Sequence, residues 1–343
     1  MSLKVAIIGA GHIGHVHARA VHNTPGLALN AIVDTQPDRL AAFAEEFKIP
    51  YAYSSVEELL KTGNLEALVI GVPNALHAPL AIAALKAGIP VMVEKPMATS
   101  AAEAEQMAEA SQKSGAPLMV AHCWRFDKEV LWLKQQVQAG RLGKIIRTKG
   151  YGVHVHWGPE GWFTQKKLAG GGALADMGIH AIDTARFLTG DPQPVSVYAR
   201  LGTYYKEYDV DDTGVILIVW DNGVTSYIES GWWQPHMDGP EASTQLYGLS
   251  GFGQVFPTRL ELPNVKEMKI DTISDPSFIF PRPDHSPQSM YDDQMAAFAS
   301  AIQSGHDAGH RGRPSPGSRE GLVNMKIVDA AYQSARTGKV VEL

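Results

Sequence analysis

The chain has 343 residues, of which 45% are hydrophobic and 19% charged, long enough that two domains are expected rather than one core. Its 30 Lys and Arg against 36 Asp and Glu leave a formal charge of −6, which excludes the basic footprint of a nucleic-acid binder. One cysteine, Cys123, excludes a disulfide framework and a four-cysteine metal site and points to a reducing, cytoplasmic setting.

The first apolar run, Lys4 to Ile8, is too short for a secretory core or a membrane span and reads as a buried strand. It runs directly into Gly9-Ala10-Gly11-His12-Ile13-Gly14, followed by helix-compatible sequence to His22. A second strand, Ala28 to Val33, ends at Asp34, twenty residues beyond Gly14. Strand, glycine turn, helix and a strand-end acid are the signature of a dinucleotide site. The glycines admit the pyrophosphate, the helix N-terminus stabilises its charge, and the acid accepts the ribose hydroxyls. A carboxylate at Asp34 repels a 2′-phosphate, and Thr35-Gln36-Pro37 supply no cation beside it; Arg39 is expected a helical turn further on. NAD is therefore expected over NADP.

Helices over 37–47 and 55–61 and a strand over 67–70 continue the rhythm. Gly71-Val72-Pro73-Asn74 then falls at a strand's carboxyl end, where open parallel sheets bind ligands. A helix over 75–87 and a strand over 90–93 lead to Glu94-Lys95-Pro96, a helix over 99–114 and a last strand over 117–122. Strands alternating with helices predict a doubly wound parallel sheet over residues 1–122. A lysine at the end of a buried strand is costly unless partnered, so Lys95 is read as functional rather than as a solvated turn residue.

From Cys123 the pattern changes, and residues 123–343 are assigned to a second, α+β domain. A helix over 128–138 precedes a long strand over 144–157, whose alternation places His154 and His156 on one face. With no third ligand at metal spacing, they are read not as a metal site but as pocket lining, with a solvent-facing strand as the alternative. Strands follow over 195–201, 214–220, 224–231, 243–249 and 254–262. Asp221-Asn222-Gly223 joins two of them as a hairpin, which makes the sheet mostly antiparallel. Trp232-Trp233 falls at a strand end, where it closes over a ligand or fills a core. A proline-rich loop over 276–287 precedes helices over 290–302 and 319–335, divided by the segment 305–318.

The chemistry is sought in Gly170-Gly171-Gly172 and the helix expected over 172–189, stopped by Gly190 and Pro192. Asp176 and His180, four apart, share a face of it, opposite an apolar stripe of Leu174, Ala181, Ala185 and Leu188. The three glycines are expected to let another backbone or a flat ligand come close, and beside a dinucleotide site they read as clearance for nicotinamide and sugar. An imidazole with a carboxylate neighbour suits acid–base work near neutrality. Taken alone the pair favours the plainer reading, an ordinary helix whose polar face meets solvent.

These stretches together resemble the Gfo/Idh/MocA oxidoreductases, the glucose–fructose oxidoreductase and inositol 2-dehydrogenase family. The resemblance covers nearly the whole chain. It rests on Gly9 to Gly14, Val72-Pro73-Asn74 with His77, Glu94-Lys95-Pro96, Arg125-Phe126, and Gly170-Gly171-Gly172 leading to Asp176, His180 and Asp183. It implies a Rossmann domain with an open, mostly antiparallel sheet that assembles a homodimer or homotetramer. It implies Lys95, Asp176 and His180 as the catalytic set, with His180 taking the proton of a sugar, polyol or cyclitol hydroxyl. Gly71, Val72, Pro73, Asn74 and His77 would line the cofactor groove, with Glu94 and Trp162 towards the nicotinamide. Arg125, His154, His156 and Trp232 would face substrate. The same resemblance admits a glycosidase that uses NAD for transient oxidation and elimination, and a sugar-sensing regulator. The intact Lys95, Asp176 and His180 argue against the sensor. No nucleic-acid, membrane or metal partner is expected.

Overall fold

The computed structural model describes residues 2–63, 65–235, 241–282, 284, 286–304 and 315–343. The chain forms two compact units, Met1–Cys123 with Pro287–Leu322, and Trp124–Ser286 with Val323–Leu343.

In the first unit, β1 (Leu3–Ile8), β2 (Leu27–Val33), β3 (Tyr51–Tyr53), β4 (Ala67–Ile70), β5 (Val91–Glu94) and β6 (Leu118–Ala121) alternate with helices. The helices are α1 (His12–Asn23), α2 (Pro37–Glu46), α3 (Val56–Thr62), α4 (His77–Lys86) and α5 (Ala101–Ser114). The strands pair in parallel in the order β3-β2-β1-β4-β5-β6. This is the doubly wound sheet expected from the alternation, with the addition of β3, which is too short and exposed to announce itself. Every residue of β4, β5 and β6 is buried, because crossover helices cover both faces of a parallel sheet and no polar alternation survives. Ser55 and Ser100 cap α3 and α5 by accepting from the amides of Glu58 and Glu103, satisfying helix-start donors at the position where such side chains are strongest. Strand order reverses between β1 and β4, the switch point at which such sheets hold ligands.

The second unit begins with α6 (Lys128–Gln138), capped by Asp127, whose carboxylate accepts from the amides of Glu129 at 2.8 Å and Val130 at 3.3 Å. Next come β7 (Ile145–Val153), the short α7 (Lys166–Ala169) and α8 (Ile179–Leu188), then β8 (Pro194–Gly202), β9 (Thr213–Trp220), β10 (Thr225–Gly231), β11 (Ala242–Gly248), β12 (Phe252–Val255), β13 (Arg259–Asn264) and β14 (Lys269–Ile273). The strand predicted over 254–262 is two strands, because Phe256 turns at φ +60° ahead of Pro257. The nine-stranded sheet runs β14-β13-β12-β11-β7-β10-β9-β8 and closes with β15 (Val341–Glu342). Only β7 and β10 pair in parallel.

Between these parts of the second unit the chain adds α9 (Gln288–Gln303) to the first. There it packs on α1, with Gln288 Nε2 donating to Val16 O at 3.1 Å and Asn23 Nδ2 to Asp292 at 2.9 Å. Residues 287–322 therefore leave the second domain to which the sequence pattern had assigned them. The last helix, α10 (Ser318–Thr337), starts in the first unit and continues in the second. Most of the divider expected over 305–318 lies outside the described residues. No helix among the described residues is long and apolar enough to cross a membrane.

Candidate active site

At the carboxyl end of β1 the three glycines do different work. Gly9 takes φ +104°, and a Cβ there would stand 2.2 Å from the Gly71 carbonyl oxygen; one on Gly14 would stand 2.1 Å from that of Gly9. Both let the turn fold against its own chain. A Cβ on Gly11 would meet nothing within 4 Å, and no side chain caps α1 there. The first amides of the helix are thus left to an outside anion. This fits a dinucleotide pyrophosphate, with exposed His12 and part-buried Ile13 flanking the approach.

Asp34 accepts from the amides of Ala10 and Gln36, both at 2.9 Å, and from Arg39 Nε at 3.1 Å and Nη2 at 2.9 Å. The sequence reading that no cation lies beside it is corrected: α2 brings Arg39 back onto the strand end. Burial alone would raise the Asp34 carboxyl, but Arg39 and the two amides outweigh it and hold it below the usual range.

Other expected cofactor residues are occupied by the protein itself. His77 is fully buried, with Nδ1 2.9 Å from Pro96 O and Nε2 2.8 Å from Val72 O. It braces the turn after β4 against the turn after β5 rather than lining a groove. Burial lowers its pKa. Glu94 accepts from His17 Nε2 at 2.8 Å and from the Lys95 amide at 3.1 Å. Burial pushes its carboxyl up, but His17 and Lys95 overcome this and hold it low. Lys95 follows directly on β5, part-buried, and Asn74 is buried in the turn after β4.

In the second unit the helix read as continuous over 172–189 opens with a π-helical turn, Leu174–Gly178, before α8. Such turns are rare and recur at functional sites. The glycine run does not clear space for a ligand. Gly170 closes α7 at φ +77°, a Cβ on Gly171 would stand 2.0 Å from Tyr332 Oη, and one on Gly172 would stand 1.8 Å from Asp211 O. Asp211 holds the start of this helix: its carboxylate accepts from the amides of Gly172 at 2.9 Å and Leu174 at 2.8 Å, and its carbonyl from Ala173 at 2.7 Å. Tyr332 Oη donates to the same carboxylate at 2.6 Å. Nor is any face of α8 solvated, since His180, Asp183, Thr184 and Arg186 are as buried as Ala181, Ala185 and Leu188. Beneath it, a Cβ on Gly152 of β7 would stand 2.2 Å from Met177 O.

The π turn presents Asp176 to Trp232 Nε1, which donates at 3.0 Å, and to His154 Nε2 at 3.4 Å. Nδ1 of His154 faces Glu241 Oε2 at 3.3 Å, its ring stacks on Trp157 with centroids 3.6 Å apart, and Trp157 Nε1 donates to Glu241. His180 stacks on Trp124, centroids 5.4 Å apart. His154 and His180 line one pocket with Trp124, Glu241, Phe256 and Arg282. Arg282 stacks 4.2 Å over Phe256 and is charge-matched by Asp127 at 2.7 Å and Glu129 at 3.4 Å.

The remaining expected substrate residues fall elsewhere. Arg125 is 3% exposed and forks onto Asp183 at 2.8 Å through both Nε and Nη2, with Asp191 at 2.7 Å. Asp183 also accepts from Asn324 at 2.8 Å. Burial opposes the Arg125 charge, but the two carboxylates win and raise its pKa. This buried network organises the unit and is not a ligand contact. Trp232 is 0% exposed and reaches Asp176 from the core. β7 ends at Val153, so His154 turns inward while His156, at φ +61°, is exposed. The two histidines therefore do not share a face. Trp162 stacks on Phe163, centroids 3.8 Å apart, within a turn of 3₁₀ helix. Asp211, Glu241 and Arg282 carried no sequence signal, since each acts on residues far away in the chain.

Comparison with known proteins identifies the family and the two-part fold. Residues 3–122 match the model of the GFO/IDH/MocA oxidoreductase family with its NAD-binding Rossmann fold, and residues 130–252 match that family's C-terminal domain. The chain is 28% identical to the D-glucoside 3-dehydrogenase of Escherichia coli over 99% of its own length and 97% of that protein's. It is 30% identical to a D-xylose 1-dehydrogenase (NADP(+)) of Haloferax volcanii over 91% of each chain. The structure of levoglucosan dehydrogenase in complex with NADH and levoglucosan superposes with a TM-score of 0.87 at 25% identity, covering 100% of this chain and 99% of that one.

Proposed function

The chain belongs to the Gfo/Idh/MocA oxidoreductase family, and from that premise we propose that it moves a hydride between NAD and a hydroxyl-bearing carbon of a sugar, polyol or cyclitol. The observation that carries the reading is the second unit's pocket, where a buried imidazole, His180, stands against the flat face of Trp124. Aromatic faces suit the apolar faces of sugar rings, and imidazole suits a hydroxyl proton. The residues to hold NAD are Gly9, Gly11 and Gly14 at the pyrophosphate and Asp34 at the adenosine ribose. NAD, when bound, supplies the hydride acceptor, or the donor in the reverse direction.

His180 takes the proton from the substrate hydroxyl as its carbon is oxidised and returns it in reduction. Asp176, a helical turn away in sequence, orients the His180 imidazole and supports its charge, and Lys95 donates to the reacting oxygen and offsets its growing negative charge. NAD is preferred over NADP because Arg39 is already matched by Asp34, so a 2′-phosphate meets a carboxylate with no unspent cation beside it. Self-association is part of the same proposal. The outer face of β9 exposes Val215, Leu217 and Val219 at 37, 41 and 39%, while Ile216, Ile218 and Trp220 point inward. A second copy of the chain is the partner that such an apolar face fits, and light scattering of Leu217→Lys against the parent protein tests it through a fall in mass.

The test of function is reduction of NAD, followed by nicotinamide absorbance, across a panel of neutral sugars, polyols and inositols. Substrate-dependent NADH accumulation is expected. Glycoside cleavage without net NADH would select the oxidation–elimination reading instead, and binding without turnover the sensor.

A further inference from the structure

The contacts of His154 are not those of a substrate-facing histidine. Both ring nitrogens face carboxylate oxygens, Nε2 towards Asp176 at 3.4 Å and Nδ1 towards Glu241 at 3.3 Å. A neutral imidazole has one N–H, so in that state one of the two contacts would set a lone pair against a carboxylate. An imidazolium sets a positive edge against each carboxylate, an ion-pair contact on both sides. The indole of Trp157 lies flat on the ring at 3.6 Å and its Nε1 fixes Glu241, a stack that favours a cation. The backbone pins the group from each side. The His154 amide donates to Gly231 O at 2.8 Å, its carbonyl accepts from the Gln234 amide at 3.0 Å, and the Val153 amide donates to Glu241 O at 2.7 Å.

We propose that His154 is a positioning residue of the reaction: held as an imidazolium between Asp176 and Glu241, it keeps the Asp176 carboxylate charged and fixed in orientation for the work of His180.

The titratable and charged groups around His154 fit this role. Asp176 on the π turn and Glu241 ahead of β11 face it directly, while His180 on α8 and Arg282 line the same pocket. Arg282 is matched by Asp127 and Glu129, and His154 stands within ion-pair distance of both Asp176 and Glu241. Burial works against its charge, but the two carboxylates prevail and raise its pKa. Trp232 holds Asp176 through a neutral donor at 3.0 Å. Among the partners of the Asp176 carboxylate are thus a neutral donor and a charged one.

The role rests on the function proposed above, whereas the clamp does not, and two experiments separate them. In the ¹⁵N–¹H spectrum of the full chain without substrate, the His154 signals, assigned by their loss in His154→Gln, should show both ring nitrogens protonated at neutral pH, where free imidazole is mostly neutral. A neutral tautomer at neutral pH would overturn the clamp whether or not a sugar is turned over. With the substrate found in the panel, His154→Gln and Asp176→Asn should each lower kcat by about tenfold or more and leave KM within a few-fold. The double variant should be no worse than the weaker single one. Fully additive losses, or a loss confined to KM, would show that His154 acts on substrate or on stability and not through Asp176.

Discussion

Two glycine-rich turns each open a helix in this chain, and they use glycine for opposite ends. At Gly9 to Gly14 the outer glycines pack against their own backbone while Gly11 faces open space, and the helix start is left without a side-chain cap. At Gly171 and Gly172 no such room exists: Tyr332 and Asp211 fill the places where Cβ atoms would stand, and Asp211 takes the amides of the helix start. The first turn is built to receive an anion from outside. The second is built to hold a π-helical turn from within, the turn that carries Asp176 and leads to His180. A glycine run in a sequence therefore signals close approach without saying what approaches.

The comparison breaks most visibly where the second helix does its chemistry. His180→Ala should cut turnover by about 10²–10⁴-fold, the usual worth of a positioned acid–base group, with NAD affinity, read by nicotinamide fluorescence, unchanged within about twofold. Next in size is the contrast between the two turns. Gly172→Ala drives a methyl into Asp211 O and should cost about 3 kcal/mol or more in urea unfolding. Gly11→Ala should leave stability within about 0.5 kcal/mol and weaken NAD instead. If both variants destabilised equally, the distinction between an outward and an inward glycine turn would fall.

A smaller effect is expected at the end of β2. Asp34→Ser frees the Arg39 guanidinium and removes the carboxylate that repels a 2′-phosphate, so the NADP-to-NAD ratio of kcat/KM, checked against the ratio of dissociation constants, should rise by about tenfold. Smallest is the acid response. Asp34 and Glu94 sit below the ordinary carboxyl range in the folded chain. The stability they contribute is present above about pH 4 and is lost as the pH falls through their lowered values. The difference in urea midpoint between the parent protein and Asp34→Asn should accordingly shrink below about pH 4, and a gap that stayed constant would refute the shift at Asp34.

The doubly wound sheet was legible because every level of the sequence agreed: apolar runs of strand length, helices between them, and a glycine turn at the first junction. In the second unit the main antiparallel strands were legible from alternation and from Asn222-Gly223, but the break at Phe256 and the strands β14 and β15 were not. Their edges and bends depend on partners distant in the chain. Asp176 and His180 stood out by spacing, but a straight α-helix hid the π turn, which adds His154 and Trp232 to the surroundings of Asp176. Arg125 and His77, singled out as ligand contacts, are taken up by Asp183 and by two carbonyls. A buried charged or polar group must find a partner, and only the folded chain shows which one.

By itself, then, the sequence determined the parallel sheet, the glycine turn with its strand-end acid, and the residue types of the acid–base centre. All three follow from short-range rules, namely the periodicity of burial, the φ freedom of glycine and the spacing along a helix. The tertiary structure decided the rest: that Arg39 matches Asp34, that Asp211 holds the second glycine turn, that 287–322 returns to the first unit, and that His154 stands between two carboxylates. Those are pairings of charge and hydrogen bond across large separations in the chain. Their energies depend on distance and burial in space, which no local pattern encodes.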